Sequence, residues 1–360
     1  MPESQFQTLH ELVKKARQNL NHNNWDYLIG GAETETTLRR NRLALDSLAF
    51  RPRVLRDVSR VDATKDFLGR KLRLPVALAP IGSLELFGAG GGATAAKAAR
   101  DFGVVEILSS ACEPGLEAVA EAAPDAARVY QLYVRGDAAW VDDVVSRTIA
   151  AGYLALCLTV DTAYYSRRER DLAKRNFRRR NVPGREHQAK LNWADVARIR
   201  RKFNIPLMLK GIATAEDAKL AVEHGIDVVY VSNHGGRQLD HGRGSMEVLP
   251  EVVAAVGGRA RIVVDGGFNR GTDVVKAMAA GADLVGMGRM TCIALAADGH
   301  AGVLRMLEIL ENEIQTCLGL LGVTNWSELE PTHLHAAAAV GPAQTLGAFP
   351  LLTLNEDTFY

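Results

Sequence analysis

Short apolar runs recur through the middle of the chain, and each is followed by a stretch in which apolar residues return with helical period. The runs are Pro75–Pro80 (PVALAP), Val104–Ser110 (VVEILSS), Arg128–Val134 (RVYQLYV) and Tyr153–Asp161 (YLALCLTVD). They continue with Pro206–Gly211 (PLMLKG), Val228–Asn233 (VVYVSN), Ile262–Gly267 (IVVDGG) and Leu284–Arg289 (LVGMGR). None alternates strictly between apolar and polar, as expected of strands buried on both faces. Between them, Thr214–His224 and Gly271–Ala280 have helical period, and Thr214 supplies an N-cap followed by acidic residues in the first turn. Eight parallel strands, each returned by a helix, are the number at which such a sheet closes. The prediction is an α/β fold, an eight-stranded parallel β/α (TIM) barrel. An open doubly wound sheet would usually carry a GxGxxG turn after its first strand, whereas Pro80 is followed here by Ile81, Gly82, Ser83 and Leu84.

The whole chain, 1–360, reads as one domain. Residues 1–70 are expected to form an N-terminal helical extension with a short irregular segment, 71–302 the barrel, and 303–360 C-terminal helices and a tail. Gly302–Leu321 is the most evident of those helices. The segment Lys174–Lys190 (KRNFRRRNVPGREHQAK) is basic, contains Pro and Gly, and is expected to be a mobile loop over the barrel mouth, ahead of a helix at Leu191–Phe203. Its Arg178, Arg179 and Arg180 read as a solvated run, because Phe177 is the one aromatic interleaved with them. The tail Phe349–Tyr360 carries Leu351, Leu352, Phe359 and Tyr360, an apolar content that suggests docking on a neighbouring subunit or near the site mouth.

Composition narrows the class. Lys and Arg total 43 against 42 Asp and Glu, a net charge of +1, which offers no global attraction to nucleic acid or to an anionic membrane. The four cysteines, Cys112, Cys157, Cys292 and Cys317, form no CxxC pair, which argues against both a disulfide framework and a zinc knuckle and fits a reducing compartment. The N-terminus lacks the basic start and apolar run of a signal peptide, and no apolar stretch reaches the roughly 18–20 residues of a membrane span. A cytoplasmic protein is expected.

In a barrel, chemistry collects at the carboxyl ends of the strands. Those ends carry Ile81 and Gly82, then Ser110, Gln131 with Tyr133, Thr159 with Asp161, and Lys210. Ser232, Asn233 and His234 follow, with Arg237 just beyond; Asp265, Gly266 and Gly267 end the seventh run, and Gly288 and Arg289 the eighth. Buried charges are costly unless paired, so a Lys, a His, an Asp and two Arg at adjacent strand ends indicate a site. The last two Gly-rich turns, with Arg289, have the make-up of a phosphate site. Ser110, Gln131, Thr159 and Lys210 suit a planar heterocycle, with the Lys stabilising negative charge that develops on reduction. His234 suits a base oriented by Asp161, and Arg237 offers a fork for a carboxylate.

At SNHGGRQLD (Ser232–Asp240), LTVDT (Leu158–Thr162) and DGGFNRGTD (Asp265–Asp273) the chain resembles the FMN-dependent α-hydroxy acid oxidase/dehydrogenase family, which includes glycolate oxidase, lactate oxidase and mandelate dehydrogenase. The resemblance runs from about Tyr27 to Gly302 and implies bound FMN and oxidation of a 2-hydroxy acid to the 2-keto acid. It implies His234 as the base with Asp161 as its partner, Arg237 and Arg168 on the substrate carboxylate with help from Tyr27, and Tyr133 on the substrate hydroxyl. Lys210 would lie against the flavin, and Ile81, Gly82, Ser110, Gln131 and Thr159 around its ring. Ser232, Asp265, Gly267, Asn269, Gly288 and Arg289 fall in the remaining cofactor-binding stretches, toward the ribityl chain and phosphate. It also implies a homo-oligomer, a tetramer or octamer, while the electron acceptor stays open between oxygen and a quinone or carrier.

Departures from the family pattern concern substrate size. Ala111 stands where glycolate oxidase has a bulky aromatic, and Gly82 where it has Ala. The stretch after the first strand is GAGGGA (Gly88–Ala93), and Asn269 replaces an Arg that often assists the phosphate. Either these small residues leave volume above the flavin, with Tyr164 and Tyr165 as aromatic surface at the rim, or a neighbouring side chain fills the gap. The first alternative predicts a substrate bulkier than glycolate, aromatic or mandelate-like. Rival readings are a tailoring oxidase or isomerase on the same barrel, and a flavin-binding protein that has lost catalysis.

Overall fold

A computed structural model describes residues 6–175 and 182–353. All eight apolar runs form strands: β1 (Val76–Leu78), β2 (Val105–Ser109), β3 (Ala127–Leu132), β4 (Ala155–Thr159), β5 (Leu207–Ile212), β6 (Val228–Val231), β7 (Arg261–Asp265) and β8 (Leu284–Met287). They are parallel in chain order, and β8 pairs with β1 at Val285 and Val76, closing the barrel. The Thr214 cap forms as its spacing predicts, its side chain accepting from the Asp217 amide ahead of the helix Ala215–Glu223.

Every strand is buried on both faces, so side-chain alternation separates an inward set from an outward one. Val105 and Ile107, Val129, Cys157, Met208, Tyr230 and Val263 point inward and pack into one apolar cluster, floored by Phe67 and Leu72. The same period of two carries this inward register to Ser109, Gln131, Thr159, Lys210, Ser232 and Asp265 at the carboxyl ends. One end of the barrel is therefore a filled apolar plug and the other a polar floor.

The N-terminal extension holds three helices, Leu9–Asn19, His22–Ile29 and Thr36–Asp46. The last is fastened to the barrel by Arg42, which donates to Gly267 O in the turn after β7 at 3.1 Å and pairs with Asp273 of the following helix at 2.8 Å, while Asp46 of its own helix holds the guanidinium at 2.6 Å. Three parts of the chain differ from expectation. The stretch expected to be irregular holds three-residue strands: Leu48–Phe50 pairs antiparallel with Leu334–Ala336, and Lys65–Phe67 with Arg70–Leu72. The C-terminal helix Arg289–Leu321 begins directly after β8 and kinks at Asp298 and Gly299, so Gly302–Leu321 lies in its second limb, and short 3-10 turns follow. The segment 174–190, expected to be wholly loop, carries a helix at Arg185–Lys190; Arg178–Arg180 and Phe177 lie outside the described residues. Of the tail, Phe349 is buried against His10 of this same chain, with ring centroids 5.4 Å apart, while Phe359 and Tyr360 lie outside the described residues. Among the described residues no helix is long and apolar enough to cross a membrane, and no cluster of His, Cys, Asp or Glu suits a metal ion.

Candidate functional site

One cavity of about 1600 Å³ opens at the carboxyl end of the barrel, larger than a single small ligand needs. Sixteen of the residues anticipated for the site line it: Tyr27, Ile81, Gly82, Ser110, Ala111, Tyr133, Tyr165, Arg168, Lys210, His234, Arg237, Asp265, Gly267, Asn269, Gly288 and Arg289. Of the other four, Asp161 and Ser232 bond to the lining residues His234 and Lys210, while Gln131 and Thr159 lie in the floor at the ends of β3 and β4.

His234 is at the centre. Its backbone is left-handed (φ 58°), and Gly235 and Gly236 continue that conformation at 63° and 75°. A Cβ on Gly236 would lie 2.5 Å from the backbone of Leu38, so the glycine lets the loop press against the helix Thr36–Asp46. A non-glycine residue held in this region stores strain, a frequent mark of a functional position. His234 Nδ1 lies 3.1 Å from Asp161 Oδ1, and Nε2 lies 3.3 Å from the Tyr133 hydroxyl. A carboxylate only accepts, so Nδ1 carries the hydrogen and Nε2 presents its lone pair to the phenol. Burial pushes His234 below the ordinary imidazole value, with Asp161 opposing and Lys210 adding to the depression. Burial would raise Asp161, but His234 and Lys210 outweigh it and hold the carboxyl below its ordinary range. Burial pushes the Tyr133 phenol up to about 12, leaving it a hydrogen-bond donor at neutral pH. Asp161 reaches this position because Gly211 sits in a register shift of β5; a Cβ there would meet the Asp161 side chain at 2.7 Å.

Lys210 is buried. Its ammonium donates to Ser232 Oγ at 2.9 Å and pairs with Asp265 at 3.3 Å, while Ser232 donates to the other Asp265 oxygen at 2.6 Å. Burial alone would lower this lysine; Asp265 and Asp161 more than reverse that, so it stays cationic. Ser232 also accepts from the His234 amide at 3.0 Å, joining the lysine to the imidazole loop.

Two arginines are oriented by backbone carbonyls. Arg237 Nη1 donates to Tyr27 O at 2.6 Å and Gly30 O at 2.8 Å, and the guanidinium lies 4.7 Å over the Tyr27 ring. Its Nε and Nη2 make no hydrogen bond to a described residue, which leaves one planar edge for a carboxylate. Arg289 donates to Leu28 O, Gly235 O and Gly30 O at 3.0, 3.0 and 2.8 Å; burial, then Arg237, lowers it to about 9. Arg168 joins Arg237 through Ser166, whose hydroxyl accepts from Arg168 Nε at 3.3 Å and donates to the Arg237 carbonyl.

The floor holds unsatisfied groups. Both amide atoms of Gln131 and the hydroxyl of Thr159 are buried without a hydrogen-bond partner among the described residues. Such groups are costly unless a ligand meets them. Side by side with Ser110 and Lys210, they present alternating donors and acceptors, the edge chemistry of a planar heterocycle. Ser110 itself accepts from the Tyr133 amide at 3.0 Å, and Asn269 spends its amide nitrogen on the Thr345 carbonyl at 3.2 Å.

Gln238, inside the SNHGGRQLD block but given no role from the sequence, holds the Asp161 and Tyr164 carbonyls at 3.0 and 2.9 Å. Two contributors carried no readable signal: Gln188 bridges Val134 N and Thr159 O at 2.7 and 2.8 Å, and Thr345 lines the cavity from the C-terminal segment. A lone Gln or Thr in an irregular stretch has no period or motif to mark it.

With the geometry in place, comparison with known proteins is specific. The family profile described as FMN-dependent dehydrogenase matches residues 16–336. An L-lactate oxidase of Nostoc sp. is 36% identical over 357 residues, covering 91% of this chain and 97% of its own. A glycolate oxidase of Spinacia oleracea is 38% identical, covering 89% and 93%. A crystal structure of mandelate oxidase superposes with a TM-score of 0.86 at 36% identity, covering 93% of this chain and 99% of that one. An active chimera of (S)-mandelate dehydrogenase gives 0.85 at 33%, covering 91% and 99%.

Proposed function

The chain belongs to the FMN-dependent dehydrogenase family and uses FMN, and from that premise we propose that it oxidises a 2-hydroxy acid bulkier than glycolate, aromatic and mandelate-like, to the 2-keto acid. The single observation that carries the reading is the convergence, on one cavity, of the His234–Asp161 pair, the Tyr133 hydroxyl and the open edge of Arg237.

The residues present fit FMN. The orphaned Gln131 and Thr159 groups would hold the polar edge of its ring, and the Lys210 ammonium would stabilise negative charge that develops on reduction. Gly267, Gly288 and Arg289 also line the cavity, the last two at the N-terminus of the helix that follows β8, and would hold the phosphate. When bound, FMN would take up the two electrons that leave the substrate carbon together with one of the two hydrogens that the oxidation releases.

The chain's own groups do the rest. Arg237 and Arg168 take the carboxylate and fix the face of the substrate. The Tyr133 phenol, protonated at working pH, donates to the substrate hydroxyl oxygen. His234 Nε2 takes one proton, and the Asp161 carboxylate stabilises the imidazolium so formed. Gly82 and Ala111 present little bulk to the cavity, the basis for a side chain larger than that of glycolate. The names of the mandelate-acting structures support this choice.

The test is an anaerobic stopped-flow panel of 2-hydroxy acids that follows loss of the yellow colour, then reoxidation by air or a quinone. Mandelate-like acids are expected to bleach the flavin fastest. Glycolate favoured by about tenfold in kcat/KM, some 1.4 kcal/mol, overturns the substrate assignment. A flavin that no free 2-hydroxy acid bleaches overturns the reaction itself.

A further inference from the structure

The family profile ends its match at residue 336, yet the chain beyond that point reaches the site. Thr345 lines the cavity together with Gly267 and Asn269. Its hydroxyl donates to Ile29 O at 2.9 Å, and its carbonyl accepts from Asn269 Nδ2 at 3.2 Å. Ile29 ends the helix His22–Ile29, next to the Gly30 carbonyl that receives Arg237 and Arg289. Asn269 stands two residues beyond Gly267, after β7. Thr345 therefore joins the helix that bears Tyr27 to the turn that bears Gly267.

The chain around Thr345 is loosely tied between two fixed ends. At one end Leu334–Ala336 pairs with Leu48–Phe50, and the Ala337 amide extends that link to Ser47 O at 2.9 Å. At the other Phe349 is buried edge-on to His10, with the Arg270 guanidinium 5.9 Å from its ring. Both ring nitrogens of His10 are buried without a hydrogen-bond partner among the described residues, so ring contacts and packing seat Phe349 there. Between these ends, the two bonds of Thr345 are the only hydrogen bonds from 338–348 to the rest of the described molecule. The bonds from Gly347 N to Gln344 O and from Phe349 N to Leu346 O are turns internal to the segment. Val340 is fully exposed. A stretch with so few ties opens at lower cost than the barrel strands beside it.

No residue from 336 to 353 is charged, and an uncharged cover has a use at this part of the cavity. A charge-assisted contact between a guanidinium and a phosphate strengthens as water is excluded and the local dielectric falls. A group bound under a cover also leaves no faster than the cover opens. We infer that residues 337–349 form a strap that retains FMN, with Thr345 closing the phosphate end of the cavity and Phe349 as the anchor released when the cofactor enters or leaves. The inference rests on the reading above, in which Gly267, Gly288 and Arg289 hold the phosphate. It assigns a cofactor-binding role to a segment that the family profile does not reach.

The experiment follows FMN rather than turnover. Association is measured by stopped-flow quenching of FMN fluorescence on mixing with apoprotein, and release by the fluorescence that returns when holoenzyme is diluted. Phe349→Ala is expected to raise both rate constants by about tenfold or more. Thr345→Val keeps the shape but loses the bond to Ile29 O, and should raise both by about threefold. Rates within about twofold of wild type in both variants overturn the strap, as does faster release coupled to slower association, the mark of a damaged site. Wild type alone supplies a second measurement. Thermolysin is expected to cut apoprotein within 337–349 about tenfold faster than holoenzyme, relative to cuts elsewhere, and equal relative rates overturn the strap. Arg289→Gln separates the two readings, because it should weaken FMN while sparing riboflavin, which lacks the phosphate. If it weakens both alike, or neither, the phosphate assignment falls and the strap with it. If it spares riboflavin while both strap variants behave as wild type, the strap alone falls.

Discussion

Replacing Asp161 with Asn tests the charge on the base most directly. The amide keeps the size of the carboxylate, and its oxygen can still accept from His234 Nδ1 at the 3.1 Å seen here, so tautomer and ring orientation are preserved. The negative charge is lost, and it is needed when Nε2 has taken its proton and the ring is cationic. Two unit charges about 4 Å apart, at an effective dielectric near 20, attract by about 4 kcal/mol. Allowing for the hydrogen bond that survives, roughly 2–4 kcal/mol of transition-state stabilisation should go, a fall of about 30- to 1000-fold in the first-order constant for flavin reduction. Anaerobic stopped-flow at saturating substrate measures it. The pH profile gives an independent sign. Only neutral imidazole serves as base, and burial already holds His234 below its ordinary value, so the wild-type rate is flat through neutral pH and falls as pH drops through the lowered pKa. Asp161 acts to raise that pKa, so the variant's acid limb must move to lower pH. A rate within about threefold of wild type, or a limb displaced upward, refutes the assigned role.

Two more outcomes are expected. Arg42→Met leaves Asp273 buried without its counter-ion and should cost about 3–5 kcal/mol in denaturant unfolding. Burial opposes ionisation of Asp273, but Arg42 holds its pKa below the ordinary 3.8, so the pair contributes fully above that value and fades as pH falls through the lowered one. The variant should lose this acid dependence, and a cost under about 1 kcal/mol would contradict the reading. Gln131→Leu removes the orphaned amide from the cavity floor; if that amide meets the flavin edge, apoprotein titrated with FMN by fluorescence quenching should bind about 5- to 150-fold more weakly, a loss of about 1–3 kcal/mol. Unchanged affinity would place the flavin elsewhere.

The barrel could be read from the chain because strands buried on both faces leave unbroken apolar runs, and all eight do. Much of the site followed from the same fact: a period of two sets Gln131, Thr159, Lys210 and Asp265 inward once Val129, Cys157, Met208 and Val263 are inward. Strands of three residues, such as Lys65–Phe67, are too short to show any period. The partners of Arg237 and Arg289 were invisible for another reason. They are backbone carbonyls at Tyr27, Leu28 and Gly30, and a carbonyl has the same chemistry whatever residue bears it. Gln188 was hidden inside a segment whose basic composition spoke of solvent.

Those carbonyls tie the beginning of the molecule to its last barrel strand. Gly30 O receives Arg237 and Arg289 at once, across 207 and 259 positions of chain. Neither donor is local to the helix, so its terminal oxygens gain these partners only through the folded barrel. The arginine wall of the cavity is thus complete only where the helix His22–Ile29 meets the turns that follow β6 and β8.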